Sequence, residues 1–436
     1  MTHAATNAML KTVTLLKGNV TSADILEGKL NAMLQDERDA FLVADMGDIL
    51  HKHLRWHEAL PWVTPFYAVK YNDKPPVIRT LACLGAGFDC TSKNEIDLVL
   101  QNGVIPERII FGNPCKKASH IKHAAARGVH TMVFDCEDEL EKVARIHPTA
   151  RLVLRIPTTS EFEFPSQLER NFKVDLKLSM NLLSTAKNLG LNVIGLSFHS
   201  PRSSDSFEFF VQAIIEAQSI VEMAKKLEIS LKLLDIGGGF HGRVNGVETF
   251  EEVALKVKEA LDTNFPKGSN IHLIAEPGIY YVQSAITLAA NIIAKKSEST
   301  DGKCSFMYFL NDGIYSSFHV MMYNRCTVIK PLSLKGENEV TFQATVWGRT
   351  CDGEDCIVKN CSLPELSTGE WLIFKNMGAY SMTTCTTFNG YSPPECEFVM
   401  ARKDWETLQA LPEAMKTFVP LEDTGLRVPL CCDQNS

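Results

Sequence analysis

The sequence predicts an α/β protein with two domains, a (β/α)8 TIM-like barrel followed by a C-terminal, mostly antiparallel β domain. Three observations support this prediction. Eight short apolar runs alternate with amphipathic stretches, the alternation ends near Pro277, and β-type sequence with Gly, Asn and Asp turns follows. A chain of 436 residues is too long for one ordinary domain and long enough for two.

Each of the eight apolar runs has the length of a buried strand. Near-continuous apolar strands separated by helices indicate a parallel sheet covered on both faces, and eight such repeats favour closure into a barrel. In chain order the runs are PFYAVK (65–70), GFDC (87–90), RIIFG (108–112), TMVFD (131–135), RLVLRI (151–156), VIGLSFH (193–199), LLDIGG (233–238) and HLIAEP (272–277).

The stretches between the runs have apolar residues at helical spacing, as in SKNEIDLVLQNG, KASHIKHAAARG, DELEKVARIH and FEFFVQAIIEAQSIVEMAKKL. Beyond the barrel, strands are predicted in YYVQSAITLAANIIAKK, FMYFLNDGIYSSF, VTFQATVWG, EWLIFKN and CEFVMAR. We assign residues 1–45 to the β domain as an N-terminal segment, 46–278 to the barrel, 279–412 to the β domain and 413–436 to a flexible tail.

Composition excludes several classes of function. The net charge of -8 and the pI of about 5.9 argue against nucleic acid as the main partner, because phosphate binding needs clustered Lys and Arg. No stretch approaches the ~20 apolar residues of a membrane helix, and the N-terminus lacks a secretory signal. The 13 cysteines are irregularly spaced without a CxxC pair, so we expect reduced thiols, no metal site and a cytoplasmic protein.

Polar residues stand where the predicted strands end. One of them alone has an ordinary interpretation, since a lysine can be solvated and a glycine run can be a turn. Together they predict an active site, because the C-terminal strand ends of a barrel meet at one face. In chain order they are Lys70, Asp89, Arg155, His199, then Gly237, Gly238 and Gly239, and finally Glu276.

This combination of side chains suits pyridoxal 5'-phosphate (PLP). A lysine can form a Schiff base with the cofactor. A carboxylate facing the pyridine nitrogen keeps it protonated, so that the ring can accept electrons. Backbone N–H groups of a glycine-rich loop can bind the phosphate, and an imidazole can stack on the ring.

From about residue 40 to residue 410 the sequence resembles the ornithine decarboxylase family, as a divergent, ornithine-decarboxylase-like paralogue. The motifs that carry the resemblance are PFYAVKYN, GFDCTSKNE, LDIGGGF, LIAEPG, NDGIYSSF, TCDGEDC and NMGAY. The resemblance implies a PLP-binding barrel of the alanine racemase type, a β domain, and a head-to-tail homodimer whose active sites lie at the subunit interface.

For the barrel, the resemblance implies that Lys70 is the Schiff-base lysine and that Glu276 pairs with the pyridinium nitrogen. It implies that His199 stacks on the cofactor ring, and that Asp89 and Arg155 form a polar support near the lysine.

For the remaining site residues, the resemblance implies that Gly237–Gly239 bind the phosphate with help from Tyr380. It implies that Cys351, donated by the other subunit, returns a proton after CO2 leaves, and that Asp352 faces the distal end of the substrate. Phe388 is implied to orient the substrate carboxylate.

The sequence departs from the family at three places. Ile279 replaces a phosphate-binding arginine, and the loop after SFH carries Arg202, which either compensates for that loss or points to solvent. The third place is Tyr323-Asn324, where the family has Tyr-Asp and its Asp helps to hold the ammonium of the substrate. Because a buried ammonium needs carboxylates, Asn324 predicts weaker selection for ornithine, although Asp352 remains.

We therefore expect a PLP-dependent decarboxylase of a neutral aliphatic L-amino acid such as leucine. One alternative is an ornithine decarboxylase of polyamine synthesis with a relaxed pocket. The other is a catalytically weak protein of the antizyme-inhibitor kind, since residues 116–147 correspond to the antizyme-binding surface of the family. The basic residues there are Lys116, Lys117, Lys122, His123 and Arg127. The competing interpretation is that the segment is two ordinary solvated helices of the barrel.

Overall fold

The computed structural model describes residues 12–32, 39–156, 176–199, 207–242, 249–300, 303–323, 330–335 and 339–412. Arg202, Asn324 and the predicted tail 413–436 lie outside these ranges, and so does the side chain of Tyr323. Among the described residues, no helix is both long enough and apolar enough to cross a membrane.

Eight parallel strands close into a barrel in chain order, with the last strand paired to the first. The predicted fold class is therefore confirmed. The strands are β3 (Val63–Ala68), β4 (Gly87–Cys90), β5 (Ile109–Phe111), β6 (Thr131–Phe134), β7 (Arg151–Arg155), β8 (Asn192–Ser197), β9 (Leu233–Asp235) and β10 (His272–Ala275).

Helices alternate with the barrel strands and cover them on the outside. Some of them are capped at the N-terminus by side chains: the Ser92 hydroxyl accepts a hydrogen bond from Glu95 N, and Thr249 and Glu252 form a reciprocal capping box. The helices of the barrel are α2 (Met46–Ala59), α3 (Pro75–Cys83), α4 (Lys93–Gln101), α5 (Ala118–Ala126), α6 (Glu137–Ile146), α7 (Leu176–Asn188), α8 (Glu208–Lys226) and α9 (Phe250–Asn264).

A second sheet of nine strands combines both ends of the chain. Its main path runs in the order β1-β17-β2-β11-β12-β14-β15, and β16 joins it through β11 and carries β13. The strands are β1 (Thr14–Leu16), β2 (Phe41–Asp45), β11 (Ile286–Thr300), β12 (Lys303–Leu310), β13 (Leu332–Ser333), β14 (Thr341–Trp347), β15 (Cys356–Pro364), β16 (Trp371–Phe374) and β17 (Glu395–Ala401).

Most strand pairs of this second sheet are antiparallel, as expected. The exceptions are β1 with β17, β2 with β17 and β12 with β14, which are parallel. Four short helices accompany the sheet, namely α1 (Ser22–Ala32), α10 (Ile279–Val282), α11 (Val320–Tyr323) and α12 (Arg402–Ala410). The predicted domain boundaries at residues 45, 278 and 412 stay a prediction.

The barrel interior explains why the polar residues gather at its C-terminal end. A fully buried apolar cluster fills it: Phe66, Ile110, Val133, Val153, Leu233 and Ile274. Because side chains alternate along a strand, the residue two positions further on also points inward. Those next positions include Arg155, Asp235 and Glu276, so the polar side chains form a layer directly above the apolar filling.

Candidate active site

Lys70 lies just beyond β3, in the 3-10 turn Val69–Tyr71. Val69 and Tyr71, the two neighbours of Lys70, are buried and anchor the turn in the core. Lys70 itself is half-buried, so its amine remains accessible. Burial raises the pKa of Asp89 and lowers that of His199; the positive charge of Lys70 opposes the first shift and adds to the second, so its amine is close to both side chains.

Glu276 carries the negative charge of the site. Burial alone would raise the pKa of Glu276, but a hydrogen bond from His199 and the charge of Arg155 hold it at about 2. Burial, together with the charge of Glu276, raises the pKa of Asp89 to about 8 and that of Asp235 well above its ordinary value. At neutral pH, therefore, Glu276 is ionised and Asp89 is largely protonated.

His199 lies between Glu276 and the glycine loop. Its Nδ1 is 3.4 Å from Glu276 Oε2 and 3.3 Å from the backbone N of Gly238. One nitrogen cannot donate to the carboxylate and accept from the amide at once, and the charge of Glu276 favours the tautomer in which Nδ1 donates. Burial lowers the pKa of His199 to about 4, so its imidazole is neutral at pH 7.

The run Gly237–Gly239 has no room for side chains at its first two positions. A Cβ on Gly237 would lie 2.1 Å from Phe198 O, and its φ of +68° favours glycine. A Cβ on Gly238 would lie 2.8 Å from Glu276 O. The backbone of this loop can therefore approach a phosphate closely.

A buried chain of hydrogen bonds connects three neighbouring strands below the loop. Arg155 Nη1 donates to Ser197 Oγ at 3.3 Å, Ser197 Oγ donates to Asp235 Oδ2 at 3.1 Å, and Gly237 N donates to Asp235 Oδ1 at 2.8 Å. Sequence reasoning missed Ser197 and Asp235. Their inward-facing positions in β8 and β9, two residues before His199 and Gly237, are the signal that could have found them.

Ile279 opens α10 and packs against the main core, so it brings no charge to the mouth. The preceding Gly278 touches Tyr71, since a Cβ there would lie 1.9 Å from Tyr71 Cδ2. Tyr380 adopts a left-handed φ of +65°, its ring centre lies 4.6 Å from that of Tyr71, and its N donates to Tyr71 O. Tyr380 is thus held next to the turn that carries Lys70. Compensation by Arg202 stays a prediction.

The site residues of the β domain form a second group. Cys351 is exposed, and Asp352 Oδ2 accepts from the Tyr315 hydroxyl at 2.7 Å. Asp352 Oδ1 accepts from Glu354 N at 2.8 Å, and these hydrogen bonds lower the pKa of Asp352. The ring of Phe388 lies 4.5 Å from that of Tyr315.

Asp355 holds the loop of this second group in place, and sequence reasoning missed it too. It is buried and accepts from Ile314 N, Thr350 N and Thr350 Oγ1. Within one chain, no hydrogen bond or ion pair among the described residues joins Cys351 or Asp352 to Lys70. The sequence signal for Asp355 was its place in TCDGED, beside two residues already chosen.

The site residues at the mouth of the barrel can bind a phosphorylated pyridine. Among the described residues, Glu276 Oε1 and Asp89 Oδ1 are buried oxygens that accept no hydrogen bond from an N–H or hydroxyl donor. An ionised carboxylate, an accessible lysine amine and a bare glycine loop are the groups needed to bind the ring nitrogen, the aldehyde carbon and the phosphate of PLP.

A family model described as the pyridoxal-binding domain of pyridoxal-dependent decarboxylases matches residues 46–283. The chain belongs to the pyridoxal-dependent decarboxylase family. Its cofactor is therefore PLP, and its reaction class is amino-acid decarboxylation.

Three members of this family illustrate the similarity. Ornithine decarboxylase of Rattus norvegicus is 46% identical over 97% of this chain and 94% of the relative. Antizyme inhibitor 2 of Xenopus laevis is 44% identical over 96% of this chain and 93% of the relative. The solved arginine decarboxylase of Paramecium bursaria Chlorella virus has a TM-score of 0.80 at 30% identity, covering 87% of this chain and 100% of that chain. The predicted resemblance is confirmed.

The segment 116–147 differs from expectation at one of its basic residues. Lys116 does not belong to a basic surface, because its side chain is fully buried and pairs with Glu139 at 2.8 Å. His123 and Arg127 both pair with Asp97 at 3.0 Å. Lys117 and Lys122 are exposed.

Proposed function

We propose that this decarboxylase acts on a neutral aliphatic L-amino acid such as leucine in preference to ornithine. The observation that supports the proposal most is the state of Asp352, the carboxylate that would face the distal end of the substrate. Both of its oxygens already accept hydrogen bonds, from Tyr315 and from Glu354 N. A satisfied carboxylate does not need a substrate ammonium, so an apolar side chain leaves no additional unpaired charge.

Asn324 supports the same direction of selectivity. It stands where the resemblance places a second carboxylate for the ammonium, and an amide carries no net charge. A site with two ionised carboxylates rejects an uncharged side chain strongly, because the charges would then be left unpaired. With Asn324 in place, that penalty is smaller.

In the proposed division of roles, bound PLP supplies the electron sink that makes loss of CO2 possible. Lys70 holds the cofactor covalently, and Glu276 keeps its negative charge facing the ring nitrogen. His199 covers the ring, and Gly237–Gly239 hold the phosphate with Tyr380 beside them. Asp89 and Arg155 keep the polar layer in place around these groups.

The β-domain group completes the proposed site from a second subunit. Cys351 delivers a proton to the α-carbon after CO2 has left, and Phe388 orients the substrate carboxylate. Cys351 is exposed, and Phe388 is 42% exposed, which suits residues that act on the site of a partner copy. We therefore propose a homodimer with shared active sites, working in the cytoplasm.

The substrate proposal is tested by comparing kcat/KM for leucine, other aliphatic amino acids, ornithine, lysine and arginine with the purified, PLP-loaded protein. We expect an aliphatic amino acid to exceed ornithine. The Asn324→Asp variant should move the ratio of ornithine to leucine by about tenfold or more towards ornithine, because it restores a charge that an ammonium can pair with. A wild-type preference for ornithine of tenfold or more would contradict the proposal.

A second candidate function is binding of antizyme, favoured by the 44% identity to a protein named as an antizyme inhibitor. Here the exposed Lys117, Lys122 and Arg127 would contact the partner, without Lys116. Replacing the three by alanine should weaken capture of purified antizyme and leave decarboxylation unchanged. If the purified chain binds antizyme and shows no absorbance from bound cofactor, antizyme binding alone would be favoured as its function.

A further inference from the structure

Two cysteines and an aspartate meet at the mouth of the barrel, away from the glycine loop. Cys115 follows β5, and Asp135 and Cys136 follow β6, so two neighbouring strands bring them together. One ligand atom from each residue lies within 4.8 Å of the other two, and Cys115 Sγ is 3.8 Å from Asp135 Oδ1. Ligand atoms of a tetrahedral zinc ion are separated by roughly 3.5–3.8 Å, given bond lengths of about 2.0–2.3 Å.

We propose that Cys115, Asp135 and Cys136 bind one thiophilic divalent metal ion of the zinc class, with water in the fourth position. Two sulfur ligands select zinc, or its analogue cadmium, over magnesium and calcium, which prefer oxygen. The expectation of no metal site rested on the lack of a CxxC pair, and these two cysteines become neighbours only through the pairing of β5 with β6.

A buried ion pair fixes the backbone on both sides of the cluster. Lys116, next to Cys115, is fully buried, and its Nζ lies 2.8 Å from Glu139 Oε1. The backbone N of Lys116 also donates to both oxygens of Glu139 at 3.3 Å. Since Glu139 is in the first turn of α6, directly after Cys136, the pair sets the distance between the two cysteines. Supporting contacts of this kind hold metal ligands in their binding geometry.

Lys142 strengthens this support from one turn further along α6. Its Nζ lies 2.5 Å from Glu139 Oε2 and donates to Lys116 O at 2.7 Å. A charge as deeply buried as that of Lys116 is tolerated only when it is well paired, so these contacts tie the segment after β5 to the start of α6.

Binding of a metal ion would change the protonation of the two cysteines. A free cysteine thiol is mostly protonated at neutral pH, and only the thiolate binds a metal ion. Binding then exchanges protons for the ion: two thiols and one carboxylate combine with the divalent cation, form two sulfur–metal bonds and one oxygen–metal bond, and release two protons. Cys115 is exposed, which opens a path for entry.

The cluster lies across the barrel from the proposed phosphate loop. In the closed strand order β5 and β6 stand opposite β9 and β10, which lead into Gly237–Gly239 and Glu276. Binding of a metal can therefore be measured with PLP in place.

The test uses reduced, PLP-loaded protein freed of metal by a chelator and titrated with cadmium as a spectroscopic probe. We expect one cadmium per chain, an ultraviolet sulfur-to-cadmium absorption band, release of two protons per ion, and displacement by zinc. Cys115→Ser or Cys136→Ser should each remove about half of the band, and the double variant all of it. Cys304→Ser, a change at another exposed cysteine, is the matched control and should leave the band unchanged.

Asp135→Asn should weaken cadmium binding and leave the band, since the carboxylate is a ligand without sulfur. A full band in the folded double variant, checked by circular dichroism, would overturn the proposal. So would a chain that binds no cadmium under reducing conditions, or one whose two cysteines form a disulfide bond that reductant does not open.

Discussion

Glu276 keeps its charge where burial would neutralise most carboxylates. The hydrogen bond from His199 and the charge of Arg155 outweigh the desolvation that raises the pKa, and the result is a pKa of about 2. Its neighbour Asp89 shows the opposite outcome with a pKa of about 8, since burial disfavours its charged form and Glu276 repels a second negative charge. The site therefore keeps a fixed negative charge at Glu276, as a protonated ring nitrogen requires.

Sequence alone identified Glu276 and Asp89 but not which of them is charged. Strand ends of a barrel are recognisable from apolar runs, so candidate residues at those ends are predictable. Protonation depends on distances between side chains from different strands, such as the 3.4 Å from His199 to Glu276. The residue pattern of a single strand does not give distances to side chains on other strands. For the same reason, the sequence did not predict the contact between Ser197 and Asp235.

Replacing the charge of Glu276 tests its role. We expect Glu276→Gln to lower kcat about 10- to 100-fold at saturating PLP, because a hydrogen bond to a charged group contributes roughly 1.5–3 kcal/mol. The measurement is steady-state decarboxylation together with the absorbance of bound cofactor. Glu259→Gln, at an exposed carboxylate of α9, should keep the wild-type rate. A kcat of Glu276→Gln within twofold of wild type would show that Glu276 does not serve the ring nitrogen.

At the scale of elements, the glycine loop after β9 shows how the path of the backbone restricts which residue types can occupy a position. Gly237 and Gly190 have nearly the same left-handed φ, +68° and +70°. A Cβ on Gly237 would meet Phe198 O at 2.1 Å, whereas one on Gly190 would meet nothing within 4 Å. Alanine substitutions at these two positions can therefore separate the effect of backbone strain, present at both, from that of a steric collision, present only at Gly237.

We expect Gly237→Ala to raise the dissociation constant of PLP about tenfold or more, because the collision displaces the loop. Gly190→Ala should cost only the strain of the left-handed conformation, about 1–2 kcal/mol, and should leave PLP affinity unchanged. PLP affinity is measured by fluorescence titration and stability by thermal unfolding. Equal PLP affinities in the two variants would exclude a role for Gly237 in holding the cofactor.

All eight barrel strands were predictable because short apolar runs alternate repeatedly with amphipathic stretches, whereas the second sheet was predicted less well. The expected strand FMYFLNDGIYSSF ends at Leu310, since Asp312 accepts hydrogen bonds from Gly313 N and Ser317 N and forms a turn. The start of YYVQSAITLAANIIAKK is the short helix α10. Four apolar residues fit a helix or a strand equally well, so packing decides between them.

At the scale of the whole molecule, the proposed site is split between two parts of the chain. Lys70 lies at the barrel mouth, and Cys351 lies on the exposed loop between β14 and β15. If partner copies share sites, two chains with different defects can together form one complete site. This arrangement would tie catalysis to assembly.

Mixing inactive Lys70→Ala protein with inactive Cys351→Ala protein should therefore restore activity. A random mixture of two chains gives about half hybrid dimers, each with one intact site, so recovery should approach about a quarter of the wild-type rate. Subunit exchange is followed by mass spectrometry of differently tagged chains, and either variant mixed with itself is the control. Exchange without recovery would show that each chain completes its own site.

Strand β2 also has a consequence for how the protein is made. It pairs with β11 on one side and with β17 on the other, so its neighbours are translated long after it. At about 5–20 residues per second, a ribosome needs on the order of 10–50 s to travel from residue 45 to residue 286, where β11 begins. During that interval the barrel strands can assemble, but Leu42, fully buried in the finished sheet, has no final partner strand. The early N-terminal segment therefore exposes apolar surface that a chaperone could cover.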